Sequence, residues 1–237
     1  MKLTIIIPVF NEEKTIEQVL QRINKLDLGK IDKEIIIVDD GSTDKTLNQI
    51  RKHLENKNIS LYKHTENQGK GAAVRTALKK ATGQYIIIQD ADLEYDPKYI
   101  KKLLTPAVLE KIDVVYGTRL KRMPNIKKEE KTIRFLLHYT GNRLLSLITS
   151  LLYGQWITDM ETGYKLMSKK ALSGLKLNAK GFEFEPEITS KLLKRGYRIM
   201  EIPISVRPRG YKQGKKLSTF KDGPRAFLAL VKYRFKD

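Results

Sequence analysis

The chain of 237 residues has no cysteine. This excludes disulfides, thiolate metal centres and a cysteine nucleophile. A missing disulfide framework fits a reducing compartment, so the expected location is cytoplasmic. Long apolar runs are missing too. The longest uncharged stretch, Leu144 to Thr158, is about 15 residues and contains Ser, Thr, Gly and Gln, short of the ~20 needed to cross a bilayer. The N-terminal MKLTIIIPVF carries one lysine and no small-residue cleavage site, and it reads as a strand, not a signal peptide. Acids are scarce beside bases, 27 against 46, leaving a formal net charge of +19. That balance calls for an anionic partner: nucleic acid, a membrane surface or a phosphorylated substrate.

What is present is an alternation of short apolar runs with helical patterns. Through Gly117, the runs LTIIIPV, KEIIIVD, ISLYKH, QYIIIQD and DVVYGT are separated by segments such as EEKTIEQVLQRINKL and GKGAAVRTALKKATG. This predicts an α/β fold with a mostly parallel sheet covered by helices on both faces. The runs Ile5 to Ile7, Ile35 to Ile37 and Ile86 to Ile88 do not alternate in polarity, as strands buried on both faces require. Beyond Gly117 come a basic loop from Lys121 to Lys131 and helix patterns over Thr132 to Leu152, Phe184 to Arg195 and Pro224 to Phe235. YRIMEIPISV in this half reads as a strand.

Ligands of an open parallel sheet bind outside the carboxyl ends of its strands. Three elements fall there: VDDGSTD, NQGKG and QDADLE. If Gln89 to Asp92 continues its strand, Asp90 and Asp92 share a side and repel unless a cation lies between them. Oxygen ligands without cysteine favour Mg²⁺ or Mn²⁺. Asp96, before Pro97, reads as a helix cap, and Ser42, Thr43 and Asp44 also suit capping. Asp39 and Asp40 exceed what a cap needs and can accept hydrogen bonds from a base or ribose. NQGKG lacks the third glycine of a dinucleotide fingerprint and the Lys-Ser/Thr of a phosphate loop. A phosphate cradle and tight packing of a helix start remain equal readings of it.

Together IIIPVFNEEKTI, IIIVDDGSTDKT, NQGKGAAVRTAL, QDADLEYDP, VVYGTRL, TDMETGYKLMSKKAL and GFEFEPEITSKLLKRGYRIMEIPI resemble the family 2 glycosyltransferases of the GT-A fold, and among them the polyprenyl-phosphate enzymes of the dolichol-phosphate mannose or glucose synthase type. The resemblance covers nearly the whole chain. It implies a single domain over 1–237, with 1–118 holding the nucleotide sugar and 119–237 facing acceptor and membrane. It implies that Pro8, Phe10, Glu12, Val38, Asp40, Asp90 and Ala91 line the nucleotide, and that Asp90, Asp92 and Glu94 hold the metal. Arg119, Arg134, Arg209 and Lys216 match cationic positions for the donor and acceptor phosphates. Asp159 and Glu161 fall in the region of the catalytic acid, so Asp92, Arg119 and Asp159 are the candidate catalytic residues.

The implied activity is metal-dependent, inverting transfer of a hexose from a nucleotide diphosphate sugar, of GDP-mannose or UDP-glucose type, to a polyprenyl phosphate. A phosphate acceptor is already an oxyanion and needs no general base; Asp159 is then free to orient the acceptor or a cation. A sugar hydroxyl as acceptor would instead make Asp159 an obligatory base. Nucleic acid is excluded as a partner, because acids gathered at strand ends repel its phosphates. The excess positive charge suits peripheral attachment to an anionic membrane surface on the cytoplasmic face. The expected contacts are Phe135, Leu136, Leu137 and Leu144 beside Arg134 and Arg143, and Phe227 and Leu230 beside Arg225 and Lys232. His138 suits either a phosphate contact or packing.

Overall fold

The computed structural model describes residues 1–120, 133–207 and 219–236. The strands are β1 (Lys2–Val9), β2 (Asp32–Asp39), β3 (Ile59–Lys63), β4 (Tyr85–Ile88), β5 (Val114–Thr118), β6 (Lys165–Ser168) and β7 (Ile199–Pro203). The helices are α1 (Ile16–Asn24), α2 (Thr46–Arg51), α3 (Lys70–Leu78), α4 (Lys98–Leu109), α5 (Ile133–Tyr153), α6 (Lys169–Leu172), α7 (Phe184–Lys194) and α8 (Thr219–Phe235).

The strands form one sheet in the order β3-β2-β1-β4-β6-β5-β7. β6 runs antiparallel to both neighbours and the other pairs are parallel. The isoleucine runs explain the architecture. Ile5, Ile6 and Ile7 pair with Ile35, Ile36 and Ile37, and successive side chains enter opposite faces of the sheet. Ile5, Ile7, Ile35, Ile37 and Ile87 pack with Val19 and Leu20 of α1 and Leu103 of α4. Ile6, Ile36, Ile86 and Ile88 pack on the other face with Val74 of α3, Ile188 of α7 and Leu230 of α8. Two cores sandwich one sheet, so both faces of each central strand are apolar.

Two expectations change. β6 was not foreseen: KLMS is only four residues long and includes a lysine, yet it inserts between β4 and β5. Leu230, expected at a membrane surface, is fully buried in the second core.

The order β2-β1-β4 places the reversal of chain direction across the sheet between β1 and β4. Loops on either side of such a switch diverge and leave a crevice at the carboxyl ends.

Candidate active site

At that crevice a cavity of about 430 Å³ is lined by segments of several elements. Pro8, Phe10 and Glu12 come from the end of β1, and Asp40 follows β2. Lys70 opens α3, Asp90, Ala91, Asp92 and Glu94 follow β4, and Arg119 follows β5. A larger groove of about 530 Å³ lies between α3 and α6, and none of the site residues expected from the sequence lines it.

The acidic loop reaches the cleft differently from the strand extension expected. β4 ends at Ile88 and the chain turns, with Leu93 in the left-handed region at φ 64°. The period-two argument for Asp90 and Asp92 therefore fails, and the turn delivers both to the cleft instead. Buried Gln89 braces it, donating to the carbonyls of Asp90 (2.9 Å) and Tyr95 (3.1 Å) and accepting from the Tyr164 hydroxyl. The Tyr95 and Tyr164 rings stack at 4.8 Å. Asp92 Oδ1 accepts from the Glu94 amide, and Asp96 Oδ1 accepts from the Lys98 amide at the start of α4, as a cap would.

Asp90 is paired already. Lys70 Nζ lies 2.8 Å from its Oδ1 and 3.0 Å from Glu185 Oε1. Glu185 Oε2 accepts from fully buried Lys165 at 2.6 Å. Burial pushes the Glu185 carboxyl up, but Lys165 and Lys70 outweigh it and hold it below the usual range. The glycines beside Lys70 answer the open question about NQGKG in favour of packing. A Cβ on Gly71 would meet the Ala179 carbonyl oxygen at 2.6 Å, and Gly69, at φ 96°, abuts the Lys180 carbonyl.

Arg119 projects from the end of β5 and is held by Asp159. The Asp159 carboxylate accepts from the Arg119 backbone N, Nε and a terminal nitrogen, each at 2.8 Å. Asp159 is fully buried and does not line the cavity. It holds the Arg119 guanidinium in place. Glu201 of β7 fixes its loop, accepting from the amides of Thr158 and Asp159 at about 3.0 Å. Glu161, two residues on, does line the cavity, and its Oε1 is buried without a hydrogen-bond partner. Burial drives its carboxyl up to about 7, against the opposing pull of Lys165.

On the nucleotide side, Asp40 is committed to the fold. Its oxygens accept from the amides of Gln68 (3.0 Å) and Gly69 (2.8 Å) and contact His64 Nδ1 at 2.7 Å; His64 Nε2 meets Thr76 Oγ1 at 2.9 Å. Asp39 is fully buried; its Oδ1 takes the Ser42 amide, while Oδ2 has no partner. Val38 is not brought to the cavity, because its side chain is fully buried in the second core. Ser42 binds the β1–α1 loop rather than capping α2, with Asn11 N donating to Ser42 Oγ at 2.9 Å; Asp44 does both, its Oδ2 accepting from Glu13 N at 3.2 Å and its Oδ1 from the Thr46 amide at the start of α2 at 2.9 Å. Arg209 and Lys216 lie outside the described residues, as do the side chains of Arg134, Phe135 and His138.

The donor set fits a hard divalent cation. Asp90, Asp92 and Glu94 offer only oxygen to one cavity. Gly163 leaves room for the first of them, since a Cβ there would come within 2.5 Å of Asp90 Oδ2. The described residues hold no ready-made cluster of three such ligands, so the diphosphate of a bound nucleotide would have to complete the shell. Sequence reasoning missed Lys70, Gln89, Tyr95 and Glu185. NQGKG offered Lys70 as a cation at a strand-to-helix junction; nothing in the spacing marked the others.

The Glycosyl transferase family 2 sequence model matches residues 4–175. The chain is 36% identical to a UDP-N-acetylglucosamine–dolichyl-phosphate N-acetylglucosaminyltransferase of Methanococcus voltae, across 84% of this chain and 83% of that protein. It is 28% identical to a dolichol-phosphate mannosyltransferase of Pyrococcus furiosus, covering 93% of this chain but only 61% of the relative. Its fold superposes, at a TM-score of 0.74 and 20% identity, on glucosyl-3-phosphoglycerate synthase from Mycobacterium tuberculosis bound to Mn²⁺, UDP and phosphoglyceric acid, over 98% of this chain and 78% of that one. The sheet and its flanking helices are those of the GT-A fold. On this family match and these relatives, the chain belongs to the family 2 glycosyltransferases.

Proposed function

We propose that this glycosyltransferase moves a hexose or N-acetylhexosamine unit from a nucleotide diphosphate sugar to a polyprenyl phosphate, with inversion, in one in-line displacement. The observation that carries this reading is the Arg119–Asp159 pair. Both oxygens of Asp159 are taken by Arg119, so this acid presents a fixed guanidinium to the cleft instead of a free base. A guanidinium recognises a phosphate monoester in two-point fashion. Such an acceptor brings its own negative oxygen and needs no proton removed. The dolichyl-phosphate enzymes among the relatives support the same acceptor class.

The residues divide the work by position. Phe10 and the end of β1 border one side of the cavity, where a base can stack. Asp90, Asp92 and Glu94 lie where the diphosphate would end. A divalent cation held there would draw charge from the leaving nucleotide. Arg119 stands beside the same cavity and holds the acceptor phosphate for attack on the anomeric carbon.

A polyprenyl phosphate stays in the bilayer, so the cleft must come to the surface. Among the described residues no helix is long and apolar enough to cross a membrane. α5 exposes Leu137, Leu144, Leu147 and Leu151 at helical spacing, followed by Trp156; α8 exposes Phe227, Leu228 and Phe235. The Tyr153 hydroxyl donates to the Leu230 carbonyl and joins the two helices. With exposed Arg225 and Lys232 nearby, this face suits peripheral attachment to the anionic, cytoplasmic surface of a membrane.

One observation favours a second reading, transfer to a sugar hydroxyl. Glu161 lines the cavity with a carboxyl near neutrality, where a general base works best. The deciding experiment supplies Mn²⁺, a panel of UDP- and GDP-sugars, and either a short polyprenyl phosphate or a glycan, with products read by mass spectrometry. A glycosylated lipid phosphate is expected. Transfer to the glycan alone would overturn the lipid assignment.

A further inference from the structure

Lys70 sits at the first position of α3, behind the Gly69 turn, and its ammonium lies between carboxylates from two other elements. The Lys70 side chain is only 16% exposed, Asp90 20% and Glu185 5%. Continuing inward, Glu185 meets Lys165, which also donates to the carbonyls of Met160 and Thr162 and lies 4.9 Å from the centre of the Tyr116 ring. Charges therefore alternate from core to cleft: Lys165, Glu185, Lys70, Asp90. The row ends on the first carboxylate of the Asp90-Ala91-Asp92 motif.

This arrangement conflicts with a metal on Asp90. A cation on Oδ1 at the roughly 2.1 Å of a magnesium–oxygen bond would stand within roughly 5 Å of the ammonium. The other oxygen, Oδ2, faces Gly163. Two cations so close in a partly buried site repel strongly. Glu185 cannot follow a departing Lys70, because Lys165 anchors it from the fully buried side.

We propose that Lys70 is the resident cation of the diphosphate site: it neutralises Asp90 in the free enzyme, a divalent metal displaces it, and the displaced ammonium, still tethered by Glu185, binds the nucleotide's diphosphate. The inference rests on the donor-site reading given above. It makes metal and nucleotide cooperative. Metal frees the ammonium for the diphosphate, and by reciprocity the nucleotide draws the ammonium from Asp90 and strengthens metal binding.

The test titrates Mn²⁺ into the full chain, reads free Mn²⁺ by electron paramagnetic resonance, and repeats the titration with UDP or GDP. Wild type is expected to bind Mn²⁺ weakly alone and about tenfold more tightly with nucleotide, the scale of one charge-assisted hydrogen bond. Lys70→Met should bind Mn²⁺ alone about tenfold more tightly than wild type, lose about tenfold in metal-free nucleotide affinity, and show reduced cooperativity. Lys70→Arg, which keeps the charge, should behave like wild type. If wild type takes up Mn²⁺ with nucleotide while Lys70→Met binds free Mn²⁺ no better, the Lys70 inference falls alone. If no protein takes up Mn²⁺ under any condition, metal dependence falls, and the proposal falls with it. Should Lys70→Met not fold, lysine side-chain NMR of wild type decides: an ammonium signal unmoved by Mg²⁺ plus nucleotide overturns the proposal.

Discussion

Replacing Asp159 with Asn separates a positioning role from a catalytic one. The substitution keeps the side chain's size but removes the charge that balances Arg119. Three hydrogen bonds to one carboxylate, each at 2.8 Å, are at stake. Valued singly at about 1.5–3 kcal/mol they would sum to more than about 4 kcal/mol, but they share one ion pair and do not add. Breaking a buried pair by removing one partner costs about 3–5 kcal/mol. The Arg119 side chain is 18% exposed and keeps some water, so the lower end, about 3 kcal/mol, is expected. A domain with roughly 5–15 kcal/mol of stability still folds after that loss.

Urea unfolding of wild type and Asp159→Asn measures the first consequence. The second is kinetic: a misdirected guanidinium should raise KM for the polyprenyl phosphate by about tenfold or more, with a smaller change in kcat. In the double variant Arg119→Met/Asp159→Asn, the stability loss should fall short of the two single losses added, because both report one pair. A variant as stable as wild type, with KM unchanged and kcat collapsed, would refute the argument and restore Asp159 as a base.

Asp92→Ala should abolish transfer while leaving the thermal melt unchanged, and EDTA should act alike; near-normal turnover at matched Mn²⁺ would remove the metal-site reading. Glu161 is raised from 4.5 to about 7, so the folded chain holds its proton more tightly than the unfolded chain. Its ionisation therefore costs stability progressively as pH rises through that window, with the full cost above about 7. Glu161→Gln should gain on wild type over the same range, by at most about 3 kcal/mol, and should still glycosylate a lipid phosphate; parallel unfolding curves at every pH would contradict the shift. Co-sedimentation with anionic liposomes is expected at low salt, with release at high salt, since each well-placed cation contributes about 1 kcal/mol. Leu136→Ser/Leu137→Ser should weaken it, and indifference of the wild type to anionic liposomes would undo the membrane assignment.

The parallel half of the sheet was legible because burial on both faces leaves a plain mark, three isoleucines in a row. Ile5 to Ile7 and Ile35 to Ile37 pair residue for residue as adjacent strands. β6 was illegible because its lysine is unlike a core residue. Lys165 is fully buried only because Glu185, 20 positions later, neutralises it. The same limit governs the site. Motif positions placed Asp90, Asp92 and Arg119 at the cleft, but Asp159 lies 40 residues from Arg119, and no spacing rule pairs them. The acidic loop misled for a local reason: Leu93 adopts a left-handed conformation that costs a branched side chain energy. Gln89, Tyr95 and Tyr164 hold the loop in place at that cost.

A basic chain that gathers carboxylates at strand ends faces two electrostatic demands at once. Bare acids would repel a nucleotide diphosphate, and bare bases would hold it too indiscriminately to release it. The described cleft meets both in part by giving three of its acids partners before any ligand arrives. Asp40 has His64 and two amides, Asp90 has Lys70, and Asp159 has Arg119. Glu161 departs from this pattern: burial raises its carboxyl toward neutrality and sheds much of its charge. The cleft lining thus stays richer in carboxylates than in cations, while the chain as a whole is strongly positive. Long-range positive charge attracts anionic ligands toward a protein, and local pairing decides which anion stays. On this view the cations that matter for specificity are the two held by buried carboxylates, Lys70 and Arg119. The many exposed lysines set the rate of encounter and its dependence on salt.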